Sequence, residues 1–145
     1  MRENKGLHRG KRKDNGEWIE GGMLRVTLNG KTAYLIFGDE FSLHGDAVRA
    51  LSHAVVDPDT IGQYTGLQDK NGKRIFEGDI VTFKTRVGSF KPHYVRWYEE
   101  DARFIVTGKD GVRSYPMDRS FEYEIIGNIH DNPELLEGGV KHDEM

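Results

Sequence analysis

Apolar and polar residues alternate along short stretches of this chain, and four Asn-Gly or Asp-Gly pairs punctuate them. Alternation with a period of two puts every second side chain on one face of a strand. Leu24, Val26 and Leu28 share a face in this way; so do Tyr123 and Ile125, with Glu122 and Glu124 opposite. Asn15-Gly16, Asn29-Gly30, Asn71-Gly72 and Asp110-Gly111 each lie between two strand-like stretches. A type I′ turn needs positive φ at both central residues, and these pairs adopt it at least cost. The pattern therefore predicts four antiparallel hairpins, joining 7–13 to 17–20, 23–28 to 31–37, 64–68 to 73–76 and 103–107 to 112–115. Further strands are predicted over 80–84, 94–98 and 121–129. In the second of these Val95 and Trp97 face the core, with Tyr94, Arg96 and Tyr98 opposite, and 86–92 is expected as an exposed loop. Only 45–54 has a helical pattern, with Asp46 as N-cap and Ala47, Ala50, Leu51 and Ala54 at i, i+3, i+4 and i+7. Asn132 is expected to cap a second short helical turn, Pro133 to Leu136.

These elements group into a mostly-β chain. Residues 1–57 read as an antiparallel meander with one short helix. Asp57-Pro58-Asp59-Thr60 reads as a junction. Residues 58–137 then form a run of strands of about 70 residues, the size of a small β-barrel, and 138–145, with Gly138-Gly139, form a mobile acidic tail.

Composition narrows the class. The 145 residues are 36% hydrophobic and 31% charged, with net charge −3 and no cysteine. The absence of thiols excludes a disulfide framework, a cysteine nucleophile and thiolate metal sites. No apolar run approaches the roughly 18 residues of a membrane span, and no leader-like apolar segment is present, so a cytoplasmic location without membrane contact is expected. The charge is uneven: Arg2, Lys5, Arg9, Lys11, Arg12 and Lys13 face only Glu3 within the first 13 residues. This run lacks interleaved aromatics and leads into a turn, so it reads as a terminus or edge strand rather than a phosphate-binding arm.

One long phrase is specific. Asp57-Pro58-Asp59-Thr60-Ile61-Gly62-Gln63-Tyr64-Thr65-Gly66-Leu67, then Asp69-Lys70-Asn71-Gly72-Lys73, then Glu77-Gly78-Asp79-Ile80-Val81 resembles the signature of the YopX family of phage and prophage proteins. Arg9-Gly10 through Gly21 is similar to that family's N-terminal hairpin, and Glu124-Ile125-Ile126-Gly127-Asn128 through Leu136 to its C-terminal close. Leu7-His8 and Gly21-Gly22-Met23 depart from the family pattern in the first hairpin. The resemblance implies a meander with a short helix followed by an SH3-like barrel. It implies no activity. The residues of the signature themselves, Gln63, Tyr64, Thr65, Gly66, Asn71, Gly72, Gly78 and Asp79, read as turn chemistry that fixes strand register, with positive φ at Gly78 and Asp79 bonding the local backbone.

Chemistry-bearing motifs are scarce. His8, His44, His53, His93, His130 and His142 include no pair at metal-binding helical spacing. There is no phosphate loop, dinucleotide fingerprint or nucleophile elbow, so neither cofactor nor catalytic residue is assigned. Asp57/Asp59, Asp39-Glu40, His44/Asp46 and Glu99-Glu100-Asp101 carry carboxylates but read as turns, a cap and a solvated loop. Residues 82–98 differ, with four basic residues, no acid and interleaved aromatics. Lys84, Arg86, Phe90, Lys91, Tyr94, Arg96 and Tyr98 are the candidate binding residues, with cations for phosphate and rings for stacking or a peptide groove. Three function classes follow: a non-enzymatic accessory module that binds a protein partner or itself as a homo-oligomer; a nucleic-acid-binding β-barrel using 82–98; and, last, a metal-assisted hydrolase.

Overall fold

The computed structural model describes residues 6–39, 41–42 and 45–141. The chain is mostly strand, with two short helices: β1 (Leu7–Arg12), β2 (Trp18–Leu28), β3 (Lys31–Phe37), α1 (Ala47–Ser52), β4 (Val55–Gln68), β5 (Arg74–Phe76), β6 (Asp79–Thr85), β7 (Gly88–Tyr98), β8 (Arg103–Thr107), β9 (Ser114–Pro116), β10 (Glu122–Asn128) and α2 (Glu134–Lys141). The mostly-β class expected from alternation is the class observed. Two compact units divide between Tyr64 and Thr65, inside β4.

In the first unit β1, β2, β3 and the start of β4 follow one another antiparallel, and β4 returns to pair with β1. Four strands thus close into a ring. The described part of the basic N-terminal run is not an edge: β1 pairs on both sides, with Arg9 opposite Glu20 of β2 and Gly62 of β4. Three of its cations are held locally. Arg9 and Lys11 lie over the Trp18 ring at 4.6 and 5.5 Å, and Arg12 pairs with Asp14 at 2.7 Å. Asp57–Thr60 is a bulge within β4: Thr60 Oγ1 accepts from Lys11 N and donates to the Asp57 carbonyl. The interior is small. Ile36 and Val56 are fully buried, and a Cβ on Gly10 would stand 3.1 Å from Val56. Asp46 Oδ1 caps α1 at Arg49 N, as its sequence predicts; of the apolar stripe only Ala54 is fully buried.

In the second unit a five-stranded antiparallel sheet has the order β10-β6-β7-β8-β9. One face of it packs Val81, Phe83, Val95, Val106 and Tyr123 into a core with Ile75 of β5. Phe83 is its hub, stacked on Phe90 at 4.6 Å with an interplanar angle of 1°, and close to His93, Tyr115, Phe121 and Tyr123. Each such pair contributes about 0.5–1.5 kcal/mol beyond area burial. Signature residues hold the turns. Thr65 Oγ1 donates to the Ile75 carbonyl and accepts from Leu67 N. Gly78 has φ +91°, and Asp79 Oδ2 accepts from Phe76 N at 2.8 Å.

Only one of the four predicted hairpins has a type I′ turn. Asn29 and Gly30 both have positive φ, and Leu28 and Lys31 pair directly across them. At the other three only the glycine is left-handed, and each loop spans three or four residues, closed for example by Asp69 N–H to Lys73 O. A longer loop is built from a type I turn followed by one left-handed residue, so Asn15, Asn71 and Asp110 keep negative φ. At the other end of the chain, α2 runs through Gly138 and Gly139 to Lys141 and packs against β7. Asn132 does not cap it by its side chain, which instead accepts from Asn128 N.

Candidate interaction surfaces

The basic aromatic segment does not form one surface. Residues 86–92 are not an extended loop: β6 and β7 make a tight hairpin, Thr85 opposite Gly88, and β7 runs from there to Tyr98. Its register shifts between Phe90 and His93, because β7 has one residue more than β6 between those pairs. The extra residue falls at Lys91-Pro92, where proline is tolerated because a bulge spares it a ladder donor. The bulge reverses the alternation. Phe90 pairs with Phe83 and lies against the core, while Tyr94, Arg96 and Tyr98 keep the opposite face. Lys84 and Arg86 are exposed at the hairpin end, and Lys84 stands opposite Glu122. That acid offsets the local positive potential needed to attract a phosphate backbone. Trp97, expected in the core, is 38% exposed. It lies beside the 3₁₀ turn at Glu99–Asp101, where its indole N–H donates to Glu99 Oε2 and its edge meets Phe104 at 4.9 Å.

What the sheet brings together is Arg96 and Tyr98 with Asp101 of the acidic turn and with Arg103, Ile105, Val112 and Pro116, which no motif marks. Tyr98 pairs with Arg103 and Arg96 with Ile105. Together with Asp101, Val112 and Pro116 these line a groove of about 360 Å³. Arg96 is anchored there. Its Nε donates to Thr107 Oγ1 at 2.9 Å; Thr107 is fully buried and shares a hydrogen bond with Ser114 Oγ. The Arg96 guanidinium lies 5.5 Å from the Tyr98 ring centre. The Tyr98 hydroxyl bonds Glu100, and that hydrogen bond with the Glu100 charge holds the phenol above its ordinary pKa. The alternation Arg103, Ile105, Thr107 was the available sequence signal for this face.

A second surface is in the first unit. β1 accompanies β2 only as far as Gly22 opposite Leu7, and β4 accompanies β3 only at Tyr34 and Leu35. Beyond these points β2 and β3 continue as a two-stranded ribbon to the Asn29-Gly30 turn. Among the described residues no strand pairs with the outer edge of Met23–Leu28. The alternating face predicted for Leu24, Val26 and Leu28 is there, but Leu24 is 49% and Leu28 71% exposed. A lone two-stranded ribbon is marginal in water, and an open apolar edge is a template for another strand.

The carboxylate clusters are engaged by their own turns. Asp57 Oδ1 accepts from Asp59 N, Asp46 caps α1, and Glu99 and Glu100 hold Trp97 and Tyr98. Glu40 and His44 lie outside the described residues, as do Arg2, Lys5 and His142. Among the described residues no three His, Asp or Glu side chains converge as metal ligands, and no helix is long and apolar enough to cross a membrane.

A closed four-strand ring followed by a five-stranded antiparallel sheet defines a small two-unit β protein. The chain belongs to the YopX family: the model for YopX protein matches residues 7–137. Among solved structures it is similar to the crystal structure of protein EF1440 from Enterococcus faecalis, with 26% identity, a TM-score of 0.45, and coverage of 90% of this chain and 96% of that one. No curated protein matches it.

Proposed function

We propose that this YopX-family chain is a non-enzymatic accessory protein, working in the cytoplasm of a phage-bearing host, that self-associates through the β2–β3 ribbon. The observation that carries the reading is the edge of Met23–Leu28, which no strand among the described residues pairs, beside exposed Leu24 and Leu28. Leu28 and Lys31 flank a two-residue turn, so Leu24, Val26 and Leu28 bond inward to β3, while Met23, Arg25 and Thr27 point their N–H and C=O groups outward. An isologous pairing of two such edges has few registers. Centring the two-fold on Arg25 would set Arg25 against Arg25. Centring it on Val26 sets Arg25 against Thr27 and Leu24 against Leu28, joining two apolar faces without a like-charge clash.

The test is sedimentation of the full chain across the micromolar range. The natural sequence should form a dimer. Thr27→Pro removes one outward N–H and leaves the backbone bonds to β3 intact, losing only the exposed Thr27 Oγ1–Thr32 Oγ1 hydrogen bond, so it should give a folded monomer. Leu24→Lys should act in the same direction. A natural sequence that stays monomeric, or a Thr27→Pro variant that stays dimeric, overturns the reading.

A further inference from the structure

The groove in the second unit sets two arginines, Arg96 and Arg103, in one lining with the single carboxylate Asp101. Arg96 and Arg103 sit on the same face of neighbouring strands, one register step apart diagonally. Neither forms an ion pair among the described residues. Arg96 is also fixed in place: its Nε is spent on Thr107, its plane lies by the Tyr98 ring, and its terminal nitrogens are left as a donor fork. Two arginines on one face of neighbouring strands can converge on one anion, and a doubly charged, tetrahedral acceptor offers both of them oxygens where a single carboxylate offers two in one plane. The remaining walls are unlike the arginine end. Ile105, Val112 and Pro116 are apolar, and Asp101 stands at the rim as an acceptor for a hydroxyl or amino group. The volume, about 360 Å³, is within the range of small-molecule sites.

We infer that this groove binds a phosphomonoester carried on a flat, partly apolar body: a nucleoside monophosphate, free or as the 5′-phosphorylated end of a single strand. The phosphate sits between Arg96 and Arg103, and the ring lies along Val112 and Pro116. Asp101 accepts from the sugar or base, and its charge disfavours a longer polyphosphate tail. This site is independent of the ribbon, and its test does not depend on the oligomeric state.

The experiment is a titration of the full-length protein, followed by the arginine Nε–Hε signals and by phosphorus resonance. The probes are AMP, adenosine, ATP, N-acetylglutamate, and a short single strand with either a 5′-phosphate or a 5′-hydroxyl. AMP should shift the Arg96 Nε–Hε signal and bind more tightly than adenosine, ATP or N-acetylglutamate. Arg103→Gln, on an exposed side chain, should weaken AMP about tenfold, and Arg96→Lys, which removes the fork, by a similar factor. Arg119→Gln, an exposed arginine outside the groove, should leave it unchanged. If the phosphorylated strand binds more tightly than AMP and its hydroxyl twin does not, the source is a strand end; if AMP binds as well as the strand, it is the free nucleotide. Binding of both strands alike, equal binding of adenosine and AMP, preference for N-acetylglutamate, or an Arg103→Gln variant with unchanged affinity overturns the inference.

Discussion

Asp69 and Ile125 are joined by one hydrogen bond across 56 residues of sequence: Asp69 Oδ2 accepts the Ile125 N–H at 3.2 Å. The other oxygen, Oδ1, accepts from Asn71 N and Lys73 N. One buried carboxylate therefore shapes the Asn71-Gly72 turn and fastens it to the outer edge of β10. Burial alone would raise its pKa, but the bonds from Lys73, Ile125 and Asn71 outweigh it and hold the carboxyl below the ordinary aspartate value of 3.8.

Asp69→Ala should therefore cost about 2–4 kcal/mol, because three N–H groups lose their acceptor in or near the interior. Asp69→Asn keeps one acceptor oxygen and should cost about half as much. Since the folded carboxyl titrates below the unfolded one, its contribution is complete above pH 3.8 and is lost as pH falls through the folded value. Urea unfolding as a function of pH checks both points: the acid-side loss of stability should be shallower in Asp69→Asn.

A paired glycine substitution tests the ring. A Cβ at Gly21 would overlap the Phe37 carbonyl, whereas one at Gly22 meets nothing within 4 Å. Gly21→Ala should destabilise by about 3 kcal/mol, because the obstacle is backbone in the β2–β3 ladder. Gly22→Ala should be neutral or stabilising by about 0.5 kcal/mol through the unfolded chain. Thermal melting of the two variants side by side separates crowding from a general intolerance of change at this point.

Asp14 provides a pH marker in the first unit. It accepts from Arg12 at 2.7 Å and from His53 at 2.5 Å, and these bonds, Arg12 first, hold its carboxyl down to about 2. Carboxyl carbon NMR should find a midpoint near 2, moving back toward 3.8 in Arg12→Ala. The sign follows from linkage: whatever this cluster adds to stability is present above pH 3.8 and is lost between there and about 2.

Phe90→Ala is expected to act as a stability mutant. The ring is half-buried and stacked on Phe83, so its removal should cost about 2–3 kcal/mol. Chemical denaturation should show this loss, while the AMP affinity of the folded fraction should match that of the natural sequence.

Local chemistry was the legible part of this chain. Asn29-Gly30, Gly78-Asp79 and the Asp46 cap are each decided by residues a few positions apart, and alternation placed Val95, Arg96, Tyr123 and Ile125 on their observed faces. What stayed hidden was set by distant partners or by a single inserted residue. Nothing near β1 announces that β4 closes on its second side. The bulge at Lys91-Pro92 turned Phe90 inward, and Pro92 within an alternating strand was its only local sign. The groove draws Arg103, Val112 and Pro116 from three separate segments to meet Arg96 and Tyr98. A reading confined to one continuous basic stretch therefore finds two of its residues and misses the rest.

The double pairing of β1 also sets an order of events during synthesis. β1 can zip onto β2 as soon as the Asn15-Gly16 turn has formed, but its other edge must wait for β4, about 50 residues downstream. Until then a nascent chain carries a cationic strand with one side bare, and its positive charges guard it against pairing with a neighbour on the same polysome. The arginines and lysines that end up over Trp18 and beside Asp14 would thus serve first as a chaperone-like safeguard, before there is any ring for them to decorate.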